Sequence, residues 1–134
     1  MIPHSLNILA VLVAALTGFV IGGLWYGPLF RTPWMRWSGM TFERGKQQNV
    51  ALVFGLTYVL NVVAACGLDM LVPAGEGWAW GLHTGAFCGA FFVATAFGVV
   101  YLFESRPLGL WAINAGYQVV NFAAMGAVLG AWPA

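Results

Sequence analysis

The side chains able to do chemistry are few, and most of them are neutral. Asn114, Tyr117, Gln118 and Asn121 fall within one long apolar stretch. At about 100° per residue, positions 114, 118 and 121 lie within about 60° of one another on a helix, with Tyr117 beside them. Thr57, Tyr58 and Asn61 occupy a similar depth in a second apolar stretch. An amide facing hydrocarbon without a partner is costly. The two sets therefore predict either hydrogen bonds between helices, which are modest in strength within lipid, or a small polar cavity that takes a ligand.

Titratable groups add little. Asp69 sits towards one end of its apolar stretch, and no Asp, Glu, Lys or Arg falls near the middle of any. A proton-coupled exporter normally couples binding to protonation through a carboxylate within the membrane, so its absence lowers the transporter reading. His4, His83, Asp69 and Glu76 map to one side and offer metal ligands, or two imidazoles for haem, but in no recognised ligand spacing. Cys66 and Cys88 lie in apolar segments and read as small buried hydrophobes. GxSxG, HExxH and a phosphate-binding glycine loop are all missing. No enzyme and no cofactor is expected, and a site at His4 and His83 is only a weak alternative.

The elements that must hold these residues follow from composition. The chain has 134 residues, 61% hydrophobic and 7% charged, against roughly 25% charged in a soluble domain. A net charge of +1 gives no basic face for nucleic acid. Four continuous apolar stretches, at about 6–27, 50–72, 80–103 and 108–132, each reach the roughly 20 residues that cross a bilayer as helix. They lack the period-two alternation of barrel strands, and lipid requires each backbone to satisfy itself. The expected fold is all-α: one domain, a polytopic membrane protein with a four-transmembrane-helix bundle. The first stretch has no basic residue ahead of it and no A-x-A site after it, so it reads as a retained helix rather than a signal peptide.

The first loop holds Arg31, Arg36, Arg44 and Lys46 against a single Glu43, which places it in the cytoplasm and both termini outside. Within it, Thr32-Pro33 reads as an N-cap and first helical residue, Gly39 as a stop and Thr41 as a second cap. A short interfacial helix on the inner leaflet is one reading, and an irregular loop with aromatic anchors the other. At the same interface Glu104 is expected to pair with Arg106, or to meet Arg31 or Arg36. Small residues recur at spacing four: Ala10, Ala14, Gly18 and Gly22, then Gly81, Gly85 and Gly89, then Gly126 and Gly130. Such ladders predict close helix packing, within the chain or against another copy, and a homo-oligomer is expected. Tyr58, Asn61, Ala64-Ala65 and Gly67 also echo Tyr117, Asn121, Ala123-Ala124 and Gly126 with a one-residue slip. Duplicated hairpins and chance both account for it.

Three motifs carry a resemblance. Gly23-Leu24-Trp25-Tyr26-Gly27-Pro28-Leu29-Phe30 followed by Trp34-Met35, then Tyr101-Leu102-Phe103-Glu104-Ser105-Arg106-Pro107-Leu108, then Ile113-Asn114-Ala115-Gly116-Tyr117 with Met125-Gly126, stand in this order. Together they resemble the signatures of a bacterial family of small membrane proteins, the domain-of-unknown-function family numbered 1761. The resemblance implies four spans, a bacterial inner membrane and no established activity.

Two function classes follow. Small loops and the lack of mid-membrane charge favour a non-enzymatic oligomeric scaffold or accessory subunit of a larger membrane complex. The alternative is a small transporter or channel lined by the stripe on the fourth helix. Orientation is directly testable: a reporter fused after Gly45 should report a cytoplasmic location and one at the C-terminus an external one. An external signal at Gly45 would overturn the assignment.

Overall fold

The computed structural model describes residues 6–133. Four helical spans cross the molecule: Ile8–Leu29, Val50–Leu71, Trp78–Phe103 and Leu108–Ala131. The first comprises α1 (Ile8–Leu24) and a π-helical turn, Trp25–Leu29. Pro28 lies inside that turn and has no N–H to give to the carbonyl four residues back. Widening the turn accommodates it, and Phe30 N–H donates to the Trp25 carbonyl at 2.9 Å. Two short helices follow, α2 (Arg31–Ser38) and α3 (Phe42–Gln47). The second span is α4 (Val50–Leu71), and the third is α5 (Trp78–Cys88), a π-helical segment (Gly89–Ala94) and α6 (Thr95–Phe103). The fourth is α7 (Leu108–Ala131).

Helix starts follow capping chemistry. Asn7, Thr41 and Asn49 accept the N–H groups of Ala10, Arg44 and Leu52 through side-chain oxygens, each at 3.1 Å. The expected Thr32-Pro33 start is corrected. α2 begins two residues earlier, straight out of the π turn with Phe30 as its cap, so Pro33 occupies the third helical position. Its missing N–H still costs nothing there, because the first N–H groups of a helix have no partner within it. Gly39 ends α2 in the left-handed region at φ 77°. Thr41 starts only the short α3, and Asn49 starts α4 afresh.

α7 is the hub. It packs along α5 on one side and α1 on the other, while α4 leans on α1 and more lightly on α7. The α5–α7 seam is the closest approach. A Cβ built on Gly81 would meet the Gly126 carbonyl oxygen, one on Gly85 the Phe122 oxygen, and one on Gly130 the Gly77 oxygen. Gly89 faces the Val119 backbone in the same way. Backbones this close permit Cα–H···O contacts and extensive dispersion. The loop ahead of α5 joins the seam, where Gly77 and Gly75 N–H donate to the Gly130 and Trp132 carbonyls, both at 2.9 Å. The third and fourth spans are joined by a tight turn in which Arg106 N–H reaches the Tyr101 carbonyl and Ser105 N–H the Leu102 carbonyl. This Schellman arrangement places Ser105 at φ 56°.

The buried core lies where α1, α4 and α7 meet at the end carrying Asp69 and Glu76, the acidic end. Ala10, Val11, Ala14 and Ala15 pack there against Ala65, Leu68, Val72, Met125 and Leu129. α4 is buried only in this half. From Val50 to Leu60 it has almost no cover inside the chain, and it stands apart from α6.

All three glycine ladders are thus spent inside the chain, including Gly18 against Asn61 and Asn121 and Gly22 against the Tyr117 ring. Gly126→Val should cost at least the roughly 1–3 kcal/mol of ordinary overpacking, because a backbone carbonyl cannot rotate away. Gly67→Ala meets nothing within 4 Å and should be neutral or slightly stabilising. Melting in detergent compares the two, and equal effects would refute the seam.

Candidate functional site

The polar residues of α7 split into two groups by depth. Towards the basic end, the end that carries Arg31, Arg36 and Arg106, Asn114 joins three spans. Tyr26 donates its hydroxyl proton to Asn114 Oδ1 at 2.7 Å, and Asn114 Nδ2 donates to the Tyr101 hydroxyl at 2.8 Å. Indoles fasten the same region. Trp25 Nε1 donates to the Ile113 carbonyl, and Trp111 Nε1 donates to the Ala94 carbonyl at the end of the π segment, both at 2.9 Å. Gly116 and Gly98 leave room for the two indoles, whose atoms lie 3.3 Å from where each Cβ would stand. The Tyr26 ring sits edge-on to Trp34 and Tyr117, with centroids 5.5 Å away in each case.

At mid-span, α1 supplies acceptors. Tyr58 donates to the Leu12 carbonyl, Asn61 Nδ2 to that of Ala15 and Tyr117 to that of Gly18, at 3.0, 2.8 and 2.9 Å. These carbonyls recur at spacing three along one face of α1. Asn121, only 2% exposed, donates through Nδ2 to Asn61 Oδ1 at 3.1 Å. Its own Oδ1 has no hydrogen-bond partner among the described residues and lies over the Gly18 Cα. The bare Gly18 is what permits this approach.

Between α4 and α6 the bundle opens into a cleft of about 320 Å³. Its floor carries Tyr117, Gln118 and Asn121, one wall carries Thr57, Asn61 and Ala64, and the other carries Val93 and Phe97. The Thr57 hydroxyl bonds back to the Val53 carbonyl at 2.6 Å. Gln118 makes no hydrogen bond to another described residue. A second groove of about 430 Å³ continues towards the basic end between α1 and α4, sharing Phe19, Thr57 and Tyr117 with the cleft.

A family model described as protein of unknown function (DUF1761) matches residues 9–130. The chain belongs to this family. No curated protein and no solved structure matches it. In this DUF1761 protein the residues of the three motifs meet in space, since Trp25 and Tyr26, Tyr101, and Ile113, Asn114 and Tyr117 form one cluster at the basic end.

The residues singled out from sequence fall into distinct places. Asn121 and Asn61 meet directly. Asn114 does not reach Thr57, Tyr58 or Asn61 and serves two tyrosines instead, while Tyr58 turns to α1 rather than α7. Glu104 pairs with Arg106 at 2.7 Å, with both side chains about half exposed (49% and 46%), so the pair contributes little. Arg106 also lies over the Tyr101 ring, and Arg36 lies over Trp37 at 5.1 Å. The Trp37 ring fills the space beside Gly109 and seats α2 on the start of α7. Arg31 faces the second groove. His83 is exposed, its Nδ1 2.7 Å from the Ala79 carbonyl, and His4 lies outside the described residues. No three His, Cys, Asp or Glu side chains gather among the described residues. Asp69 is buried at the acidic end and accepts the Asn7 N–H at 3.3 Å.

Tyr26 and Tyr101 stand in the sequence only as members of two separate motifs, and nothing there shows that they share Asn114. Asn114→Leu removes two hydrogen bonds and strands two hydroxyls. At well under 1 kcal/mol per bond in lipid on average, with the stranded groups added, it should destabilise the protein by about 1–2 kcal/mol. Steric trapping or detergent melting reads this, and an unchanged stability would count against the cluster as a structural joint.

Proposed function

We propose that this protein is a non-enzymatic membrane protein whose mid-span cleft binds a small, neutral, amphipathic molecule arriving from the lipid phase. The observation that carries the reading is Gln118. Its amide stands in a laterally open cleft at mid-span and makes no bond to another described residue, while its neighbours Tyr117 and Asn121 are engaged. The volume, about 320 Å³, is at the lower end of ordinary small-molecule sites and far short of what a transmembrane helix would fill. Among the described residues no Asp, Glu, Lys, Arg or His lines it, which favours an uncharged ligand held by amide and hydroxyl groups, without coupling to protons. The π-helical segment supports the same region, since it carries Val93 in the cleft wall and such insertions often accompany functional sites.

The scaffold reading keeps one support, the uncovered Val50–Leu60 half of α4, which is available to a second copy or to a larger complex. The glycine ladders no longer argue for it. We place the protein in the bacterial inner membrane, with the basic end cytoplasmic and both termini outside, by the distribution of Lys and Arg.

The experiment compares organic extracts of the purified protein by mass spectrometry. A neutral compound should accompany the wild type and be depleted in Gln118→Leu, which removes the amide, and in Ala64→Phe, which fills the cleft. Both variants should melt near the wild type. Identical extracts from all three proteins would reject the reading.

A further inference from the structure

We propose that the groove between α1 and α4 at the basic end seats one anionic phospholipid, its phosphate on Arg31 and an acyl chain along the bare backbone of Gly23 and Gly27. The groove adjoins the mid-span cleft and shares Phe19, Thr57 and Tyr117 with it, but Arg31, Gly23 and Gly27 lie outside the cleft lining. The groove holds about 430 Å³ and its lining is mostly apolar. Arg31 is the only charged residue lining it among the described residues, and the Thr57 and Tyr26 side chains add neutral polar atoms. Deeper in, the lining is Phe19 and Phe54, edge to face with centroids 5.8 Å apart, together with Tyr117.

Three facts select an amphiphile with an anionic head. First, a Cβ on Gly23 or Gly27 would meet nothing within 4 Å, so these glycines are not packing against any other part of the chain; they leave a slot. Second, the slot begins at the interface, where Arg31 follows the π turn, and runs into the apolar span; an arginine there meets a phosphate with paired, charge-assisted hydrogen bonds. Third, Arg31 has no ion pair among the described residues. The chain contains four acids. Of these, Glu104 is paired with Arg106, Asp69 and Glu76 belong to the opposite end, and Glu43 lies exposed on α3. A second copy could offer this arginine Glu43 or a Glu104 already paired with Arg106, whereas an anionic leaflet offers a phosphate at the required depth.

The test is native mass spectrometry of the full chain released from mixed bilayers of phosphatidylglycerol and phosphatidylcholine. The wild type should retain phosphatidylglycerol preferentially, by about fivefold, the effect of one basic residue at an anionic surface. Arg31→Gln should remove the preference while leaving some retention of either lipid. Arg36→Gln, outside the groove, should keep it. Gly23→Leu, which enters open space, should fold normally and lower retention of both lipids. Equal retention of the two lipids by the wild type would overturn the proposal. So would a preference that survives Arg31→Gln, retention unchanged in Gly23→Leu, or displacement of the lipid by glycerol phosphate, which would make the site one for free anions.

Discussion

Where a Cβ on Gly81 would strike the Gly126 carbonyl, and one on Gly126 the Gly81 carbonyl, two helix backbones lie in mutual contact. Lipid offers no hydrophobic drive for helices to associate, so contact area and backbone proximity have to supply it. The seam between α5 and α7 does this over three turns and is continued by the loop bonds from Gly77 and Gly75. It turns the third and fourth spans into a rigid hairpin, and the rest of the molecule is placed against that hairpin. α1 docks on the far side of α7 through its own small residues, and α4 docks on α1. Because α5 already occupies one flank of α7, α4 meets α7 only in the core at the acidic end and through Asn61 at mid-span, and a gap towards α6 is left.

That arrangement also settles where polar groups go. A helix carrying Asn114, Tyr117, Gln118 and Asn121 cannot turn them to hydrocarbon cheaply. Three donors, from Tyr58, Asn61 and Tyr117, are absorbed by carbonyls of α1 that already serve their own helix, using the second lone pair of each oxygen. Asn121 is met by Asn61. Asn114 is met by two tyrosines. Gln118 is the remainder, and it lies where the helices part. The polar face of α7 is therefore mostly structural, and the Gln118 amide coincides with an open side of the bundle at that depth.

How much of this was legible in the sequence differs by level. The four spans and the all-helical class were, because hydropathy over 20 residues leaves no other solution in lipid. The clustering of 114, 118 and 121 on one face was also legible, being a matter of helical angle alone. Their partners were not. Asn114 differs from Asn121 by two turns of depth, which moves it from the reach of Asn61 to that of Tyr26 and Tyr101, and those tyrosines carry the ordinary signal of an interfacial belt. The glycine ladders were visible as ladders, yet spacing cannot say whether the facing backbone belongs to the same chain. The start of α2 was misplaced because Pro28 opens a π turn that delivers the chain into the next helix without an intervening cap. The splay of α4 had no local signal at all; it follows from which flanks of α7 and α1 are already taken.

The π-helical segment at Gly89–Ala94 makes the third span two helices with different phase. One added residue rotates everything beyond it by about 100° relative to an uninterrupted α-helix. Before the segment, the phase is set by Gly81, Gly85 and Gly89 meeting α7. After it, the phase is set by Phe97 facing the cleft and Tyr101 reaching Asn114. The glycine seam and the aromatic wall therefore belong to separate registers, joined by a turn whose terminal carbonyl is held by Trp111. Deleting a single residue there would leave the hairpin zipped at the acidic end. It would also swing the wall of the cleft to a new heading, so the length of this turn works as a dial on the shape of the cleft.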